Sequence, residues 1–333
     1  MLCDRLSIIS PYRYSLKLLG SLLLTTVASG AIAPNAAADS IYYIGNSLTD
    51  TIQYQTFADI VETQLDESQP WGRHVIPGAP LDWIWDHPDS GFQESPYGYY
   101  PQALTEYGWD FVSLQPFDRK LESDLPSITR YVELAREQNP DVQVLIHGRW
   151  PGRDEGDTDY SALWERTYTG DWDDTFETRD YLETLTQAVK DADLGIRDPI
   201  LVPIGEVMYQ LDQKMKRGEI EGYSNVFDLY KDGVHLNAEG QYLTTMTYLA
   251  VMYDMHPETI DGGAIAPLSP ATKQAFDDTI WQVVQQLPTP TAAVAPTPVP
   301  AAATATAPPI PWIVLGIVLL GGTGVAWFKR QRS

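Results

Sequence analysis

The chain has 333 residues, enough for one large domain or two small ones. Acidic side chains outnumber basic ones 45 to 22, and the net charge is −23 at neutral pH. Nucleic-acid binding needs a basic face that neutralises phosphates, so the charge argues against that function. It also disfavours adsorption to anionic lipid head groups. The single cysteine, Cys3, precedes the first apolar run, so a chain cleaved after that run has no thiol for disulfides or catalysis.

Residues 1–38 have the pattern of a secretory signal peptide. The stretch begins with basic residues, continues with an apolar run over 18–27, and ends in small residues. Ala33 and Ala38 end two candidate cleavage sites. An uncleaved membrane anchor is the alternative. The pattern therefore predicts that the chain is exported.

The other end of the chain predicts a membrane tether. Residues 288–309 are rich in proline, threonine and alanine, which favours an extended linker. Residues 310–328 carry no charge, and a helix of this length spans about 28 Å, close to a bilayer core. Basic residues in 329–333 predict a cytoplasmic tail. A buried core helix is the alternative for 310–328; otherwise the chain crosses the cell membrane once, with residues 39–287 at the cell surface.

Residues 39–287 alternate between short apolar runs and amphipathic stretches. The apolar runs predict strands over 41–44, 73–76, 110–115, 142–147 and 200–204. The amphipathic stretches predict helices over 54–66, 98–106, 124–138, 181–191, 206–217, 237–254 and 271–286. This alternation predicts a three-layer α/β/α domain with a parallel, flavodoxin-like sheet of about five strands. Ligands bind such sheets at the carboxyl ends of the strands. The acidic, aromatic segment 148–180 is too long for a simple connection and is expected to form a rim or lid.

The stretch "IYYIGNSLTD" ends a predicted strand on Gly45, Asn46 and Ser47. A serine hydroxyl becomes a nucleophile only beside a base, usually a histidine that a carboxylate orients. Among the five histidines, His235 stands three residues after Asp232 in "KDGVHLNAEG", just before a predicted helix. These residues predict a Ser47–His235–Asp232 site. A plain turn at Ser47, a buried His235 and an ordinary turn at Asp232 are the alternatives.

Two motifs resemble those of the SGNH hydrolases, the GDSL-like esterases and lipases. "GNSLT" at 45–49 resembles the first block of that family, and "DGVHLN" at 232–237 resembles the last. The resemblance spans about residues 40–255. It implies that Ser47 is the nucleophile, that His235 is the general base and then acid, and that Asp232 orients it. It implies a mechanism that needs no metal and no organic cofactor.

The resemblance also implies an oxyanion hole. The backbone N–H of Ser47 is the first expected donor, and that of Gly78, after the second strand, is the second. The third donor of the family is an asparagine in a Gly-Xaa-Asn-Asp block after the third strand, which this sequence lacks. Gln115 stands there, and its amide can donate, as in some carbohydrate esterases of similar fold. The alternatives are that Gly78 is an ordinary turn glycine and that Gln115 is a polar residue at the end of a strand.

Three further residues are candidate substrate contacts: Asn46 in the first block, and Arg149 and Trp150 after the fourth strand. Tryptophans and tyrosines are frequent in the predicted site loops and could form a rim for sugar rings. The alternative is that these aromatic side chains belong to the core. "DWIWDHPD" at 82–89 contains a histidine between two aspartates, but no second histidine group accompanies it, so we predict no metal site.

The sequence as a whole predicts an exported, membrane-tethered serine esterase. Its expected substrate is a carboxylic ester, with short acyl groups such as acetyl on polysaccharide as the specific expectation. Its expected partners are that ester and the membrane, with no nucleic acid. The alternatives are a non-catalytic glycan-binding module on a degenerate hydrolase scaffold, and a lipase or thioesterase.

Overall fold

The computed structural model describes residues 39–117, 120–154, 156–170 and 178–288. The predicted signal peptide, the linker beyond Pro288, the predicted membrane helix and the basic tail lie outside these residues. Within the described ranges, no helix combines the length and the apolar character needed to cross a bilayer. The export signal and the tether therefore stay predictions.

In the described part of the chain, six strands form one sheet in the order β3-β2-β1-β4-β5-β6. Their bounds are β1 (Ile41–Gly45), β2 (Trp71–Val75), β3 (Phe92–Gln93), β4 (Phe111–Leu114), β5 (Gln143–His147) and β6 (Ile200–Val202). The five predicted strands are present, and all of them run parallel. The sequence did not predict β3, a two-residue edge strand antiparallel to β2.

Helices cover both faces of the sheet, as the three-layer prediction requires. They are α1 (Tyr54–Ile60), α2 (Leu81–Asp86), α3 (Tyr100–Glu106), α4 (Leu121–Gln138), α5 (Tyr160–Trp164), α6 (Arg179–Asp191), α7 (Ile204–Lys216), α8 (Ala238–Tyr253) and α9 (Pro270–Val284). Helices α2, α3, α4 and α6 pack together in one layer, and α1, α7, α8 and α9 in the other. The seven predicted helices are present, and the short α2 and α5 are additional.

Strand β1 is central to the sheet and buried on both faces. The ring of Tyr43 lies 4.8 Å from that of Tyr54 in α1 and 5.9 Å from that of Tyr248 in α8. The next side chain along, Tyr42, faces the opposite layer, 5.2 Å from Trp109 between ring centres. Alternate side chains of β1 thus enter opposite cores, which explains its unbroken apolar sequence. The carboxyl end of β1 therefore opens at the middle of the sheet edge.

The described part of segment 148–180, which was predicted as a rim or lid, belongs to the domain body. Residues 155 and 171–177 of this segment lie outside the described residues. Tyr160 and Trp164 of α5 are buried, and the Tyr160 hydroxyl donates to the carbonyl of Gly205 at 3.0 Å. The Trp164 ring occupies the space beside Gly205, where an added Cβ would lie 2.3 Å from it. The lid prediction is therefore wrong for α5, because tight packing against α7 fixes it in place.

Candidate active site

The chain turns sharply where β1 ends at Gly45. A 3₁₀ turn over Thr49–Thr51 follows, and the N–H of Thr49 donates to the carbonyl of Asn46 at 3.0 Å. Leu48 is buried beneath this turn, whereas Ser47 remains partly exposed. The turn therefore presents the Ser47 hydroxyl at the carboxyl edge of the sheet.

Gln115, just beyond β4, holds this turn from below. Its Oε1 atom accepts hydrogen bonds from the Asn46 N–H at 3.0 Å, the Thr49 N–H at 3.2 Å and the Thr49 hydroxyl at 2.6 Å. Two of these donors are backbone N–H groups that cannot accept, so they fix which end of the amide faces the turn.

The amide nitrogen of Gln115 points elsewhere. It is shielded from solvent and has no hydrogen-bond partner among the described residues. A substrate oxygen at the surface does not reach an atom buried in this way. The oxyanion role predicted for Gln115 is therefore wrong in this structure, because the side chain meets the turn through its acceptor rather than its donor.

Gly45 makes the close approach of Gln115 possible. A Cβ at this position would lie 2.1 Å from Thr49 Oγ1 and 2.7 Å from Gln115 Cβ. Real Cβ atoms do not come so near their neighbours, so any larger residue would push the glutamine away from the turn. The glycine of the first motif is thus required by packing around the serine turn.

Asn46 is buried and connects the serine turn to the loop after β2. Its Oδ1 accepts from the Leu48 N–H at 3.0 Å, and its Nδ2 donates to the Ala79 carbonyl at 3.2 Å. The predicted substrate contact of Asn46 is therefore wrong, since both ends of its amide are bonded within the protein. Gly78, the residue before Ala79, is exposed and left-handed with φ of 72°. Its position beside the site is clear, whereas its oxyanion role stays a prediction.

The loop that carries His235 is tied at both of its ends. Tyr230 and Leu236 form an antiparallel bridge, and the N–H of Lys231 donates to the His235 carbonyl at 2.8 Å. Asn237 then caps α8, with its Oδ1 accepting from the first N–H groups of the helix. This cap agrees with the sequence prediction for that position.

Trp150 supports the same loop from inside the core. Its side chain is fully buried, and its indole N–H donates to the Val234 carbonyl at 2.7 Å. Arg149 is also buried, with its guanidinium carbon 4.8 Å from the centre of the Phe117 ring. The substrate contacts predicted for Trp150 and Arg149 are therefore wrong, because burial directs both side chains into the protein.

Ser47, His235 and Asp232 come together at the surface. The His235 Nε2 lies 2.9 Å from Ser47 Oγ, and its Nδ1 lies 2.9 Å and 3.1 Å from the two Asp232 oxygens. An ionised carboxylate only accepts, so Nδ1 carries the hydrogen. Nε2 then turns its lone pair toward the serine hydroxyl. This is the arrangement in which an imidazole removes a proton from a serine.

Asp232 is held in its ionised form by the loop itself. Its Oδ1 accepts from the Val234 N–H at 2.9 Å and the His235 N–H at 2.8 Å. These two bonds, together with the imidazole contact, lower the pKa of Asp232 to about 2. The folded-state pKa is below the unfolded value of about 3.9, so the carboxylate stabilises the fold at higher pH, and this contribution is lost as the pH falls through about 2.

His147, at the end of β5, offers a contrasting histidine. Burial, with the nearby charge of Arg149, lowers the pKa of His147 to about 3, which keeps its ring neutral. Its Nδ1 lies 2.9 Å from the Tyr248 hydroxyl, which in turn lies 2.7 Å from the Ser113 hydroxyl. This network is enclosed by the core. Of these two histidines, His235 is the one that faces a partly exposed serine.

One group of side chains in the described chain has the composition of a metal site. Ligand atoms of His256, Glu258 and Asp278 lie within 4.8 Å of one another. However, His256 Nδ1 already accepts from the Glu258 N–H at 3.1 Å, and Nε2 faces Asp278 at 3.3 Å. The neutral ring therefore carries its hydrogen on Nε2 and has no lone pair left for a metal. The group is better described as a capped turn with a polar contact.

The site around Ser47 is open to solvent. The side chains of Asp232 and His235 are 51% and 40% exposed. A cavity of about 590 Å³ lies elsewhere, beside edge strand β6, where its lining includes Trp164, Arg179 and Leu201. The candidate chemistry and this cavity are thus separate features of the molecule.

Comparison with known proteins supports the fold. Neither a protein-family model nor a curated protein matches the chain. Among solved structures, a DUF4886 family protein from Bacteroides uniformis superimposes with a TM-score of 0.53 at 16% identity, covering 75% of this chain and 95% of that one.

Two other structures are more distant. A candidate SGNH hydrolase from Slackia heliotrinireducens gives a TM-score of 0.40 at 23% identity, covering 65% of this chain and 99% of that one. A carbohydrate esterase family 3 protein from Talaromyces cellulolyticus gives 0.39 at 14% identity, covering 69% and 99%. Similarity at this level carries no argument about activity.

The strand order β2-β1-β4-β5-β6 is that of the predicted flavodoxin-like sheet. The two sequence blocks meet where Ser47 Oγ contacts His235 Nε2. The chain therefore has an α/β fold similar to that of the DUF4886 family protein, with a mostly parallel six-stranded sheet. The first block forms the serine turn of this fold, and the last block forms the loop before α8. Sequence reasoning did not single out Thr49, although its place within "GNSLT" put it beside the serine.

We predict that Gln115→Leu destabilises the protein and reduces the reactivity of Ser47. Leucine leaves the Asn46 N–H, the Thr49 N–H and the Thr49 hydroxyl without their acceptor, which should lower the free energy of unfolding by at least about 1–3 kcal/mol. Urea denaturation measures the stability, and the rate of labelling by a fluorophosphonate measures the reactivity of the serine.

Gln143→Leu is the matched control. Gln143 is equally buried and donates to the Asp198 carbonyl at 2.8 Å, but it lies at the amino end of β5, the opposite edge of the sheet. This variant should lose stability and keep its labelling rate under native conditions. Equal loss of labelling in both variants would contradict the proposed support of the serine turn.

We predict that Asp232→Asn slows the labelling of Ser47 by at least about tenfold while the protein stays folded. An asparagine amide that donates to His235 Nδ1 favours the wrong ring tautomer, in which Nε2 no longer accepts from the serine. Asp254→Asn serves as the control, since Asp254 ends α8 in a left-handed conformation that asparagine tolerates. Unchanged labelling of the Asp232 variant would show that the carboxylate does not orient the ring.

Proposed function

We propose that this protein is a serine esterase that hydrolyses carboxylic esters through an acyl-enzyme. The observation that carries the proposal is the contact between Ser47 Oγ and His235 Nε2 at 2.9 Å. Asp232 on the other side of the ring fixes the tautomer in which Nε2 accepts. A serine and a histidine this close, with a carboxylate behind them, form the minimal machinery of acyl transfer.

In the first half of the proposed reaction, Ser47 Oγ attacks the ester carbonyl carbon while His235 Nε2 takes the hydroxyl proton. The carbonyl oxygen becomes an oxyanion, for which the N–H groups of Ser47 and Gly78 are the proposed donors. A donor of this kind contributes about 3–4 kcal/mol to transition-state stabilisation in other enzymes. His235 then gives its proton to the departing alcohol oxygen as the C–O bond breaks, which leaves the acyl group on Ser47.

In the second half, water replaces the alcohol. His235 removes a proton from the water as its oxygen attacks the acyl carbon, and the same two N–H groups bind the oxyanion again. Collapse of this intermediate breaks the bond to Ser47 Oγ, which recovers its proton from His235. The products are a carboxylic acid and the free enzyme, and these steps use only side chains and backbone N–H groups of this chain and water.

The open site favours a substrate whose alcohol part is large. Because Asp232 and His235 are about half exposed, the catalytic side chains are open to solvent, which leaves room for a bulky alcohol part. This supports short acyl groups, acetyl foremost, on carbohydrate over lipids as substrates. The proposed export signal and membrane span, both inferred from the sequence, would place the enzyme where surface polysaccharide is available.

A non-catalytic glycan-binding module is the second candidate function. The specific observation in its favour is the orientation of Gln115, which leaves the site without the third side-chain donor that the resemblance implies. The retained contacts of Ser47 with His235 argue against it.

Chain-length preference on nitrophenyl esters separates the proposed short-chain esterase from a lipase or thioesterase.

We predict that a fluorophosphonate labels Ser47 in the purified chain and that Ser47→Ala and His235→Ala abolish this labelling. The physical reason is that the serine is nucleophilic only while the imidazole accepts its proton. Mass spectrometry of the modified peptide locates the adduct, and nitrophenyl acetate hydrolysis should fall in parallel.

Ser161→Ala is the control, since Ser161 is the second residue of α5 and its hydroxyl accepts from Gln213 Nε2 at 2.7 Å. This variant should label like the wild type. A folded wild-type protein that forms no adduct and hydrolyses no nitrophenyl acetate would overturn the esterase proposal and leave the binding module as the better candidate.

A further inference from the structure

We propose that Trp83, backed by the stacked ring of His87, forms a platform for an uncharged sugar ring beside the serine site. The proposal rests on the proposed esterase, whose polysaccharide substrate it would hold. The platform lies outside the Ser47, His235 and Asp232 cluster, and its ligand is neutral rather than acidic carbohydrate.

The His87 and Trp83 rings stack face to face, so the imidazole braces one side of the indole. Their centres lie 4.0 Å apart with 16° between their planes, and the Trp83 side chain is 53% exposed. Trp150, Trp164 and Tyr160, which the sequence suggested for the rim, are instead buried. Trp83 is therefore the tryptophan of the described chain that offers a large exposed aromatic face.

A hydrogen bond holds His87 in place against the indole. His87 Nδ1 lies 2.8 Å from the Trp83 carbonyl, which only accepts, so Nδ1 carries the hydrogen of the neutral ring. This bond keeps the imidazole stacked on the indole. The apolar face of the indole matches the apolar C–H face of a pyranose.

The helix beneath the platform is firmly held. Leu81 and Ile84 of α2 are fully buried. The Tyr131 hydroxyl donates to the Leu81 carbonyl at 2.9 Å, and the Tyr100 hydroxyl donates to the Trp85 carbonyl at 2.8 Å. Trp83 is thus exposed on a fixed element, so little conformational entropy would be lost on binding.

The platform lies close to the serine turn along the chain and in space. Ala79, whose carbonyl accepts from Asn46 Nδ2 at 3.2 Å, is four residues before Trp83. Four residues span at most about 14 Å even when fully extended, and α2 shortens this distance. A short oligosaccharide stacked on Trp83 could therefore extend to the Ser47 hydroxyl.

Charge selects the class of sugar. Asp82 and Asp86 flank Trp83 on α2, Asp89 follows His87, and the whole chain carries a net charge of −23. Repulsion from these carboxylates disfavours a polymer of uronic acids. The geometry and the charge together point to a neutral glycan.

We expect Trp83→Ala to lower kcat/KM on O-acetylated xylopentaose by about tenfold, mainly through KM, as loss of an aromatic stacking contact implies. The loss on nitrophenyl acetate, which does not extend to the platform, should be several-fold smaller. Phe92→Ala is the matched control, because Phe92 is also 53% exposed. The Arg73 guanidinium lies over the Phe92 ring and also over the ring of Tyr54 in α1. Phe92 therefore lies on the face of the sheet that is opposite to α2 and Trp83.

Binding measured without turnover separates the two proposals. In a Ser47→Ala background, calorimetry with unacetylated xylopentaose should show weaker binding after Trp83→Ala and no change after Phe92→Ala. Equal effects of the two variants, or none, would overturn the platform even if nitrophenyl acetate is hydrolysed. Failure of the wild type to hydrolyse either ester would overturn the esterase alone. Tighter binding of trigalacturonate than of xylopentaose would overturn the choice of neutral sugar.

Discussion

The three hydrogen bonds to Gln115 Oε1 are the interaction on which the candidate site depends. They join the end of β4 to the turn after β1, and the Gln115 N–H also continues the sheet by donating to the Ile44 carbonyl at 3.0 Å. One residue thus belongs to both the sheet and the serine turn. The amide nitrogen, which has no hydrogen-bond partner among the described residues, has a free-energy cost of about 1–3 kcal/mol, which three satisfied donors can offset.

His235 is held with comparable precision by different means. Its side chain reaches the surface. The backbone of its loop is held by the hydrogen bond from the Trp150 indole to the Val234 carbonyl and by the bridge between Tyr230 and Leu236. The exposed imidazole therefore needs little reorganisation before it can act on Ser47. Such preorganisation is a principal source of rate enhancement where reacting groups must meet at defined distances.

Most of the fold was predictable because continuous apolar runs and helical periodicity are local properties of the sequence. The missed elements are short: β3 has two residues, and α2 and α5 have six and five. Segments of this length are too short to show a helical or strand periodicity of apolar residues. The aromatic rim was mispredicted for another reason, since the burial of Trp150 and Trp164 depends on partners distant in the chain.

The sequence by itself determined the order of the elements and the candidate trio of Ser47, Asp232 and His235, because residue type and local spacing limit which groups can serve as nucleophile, orienter and base. Only the tertiary structure decided that Ser47 and His235, 188 residues apart, lie 2.9 Å from each other. It also assigned Gln115 and Trp150 to supporting the site. A side chain defines which bonds it can make, but the packing of distant segments selects its partner.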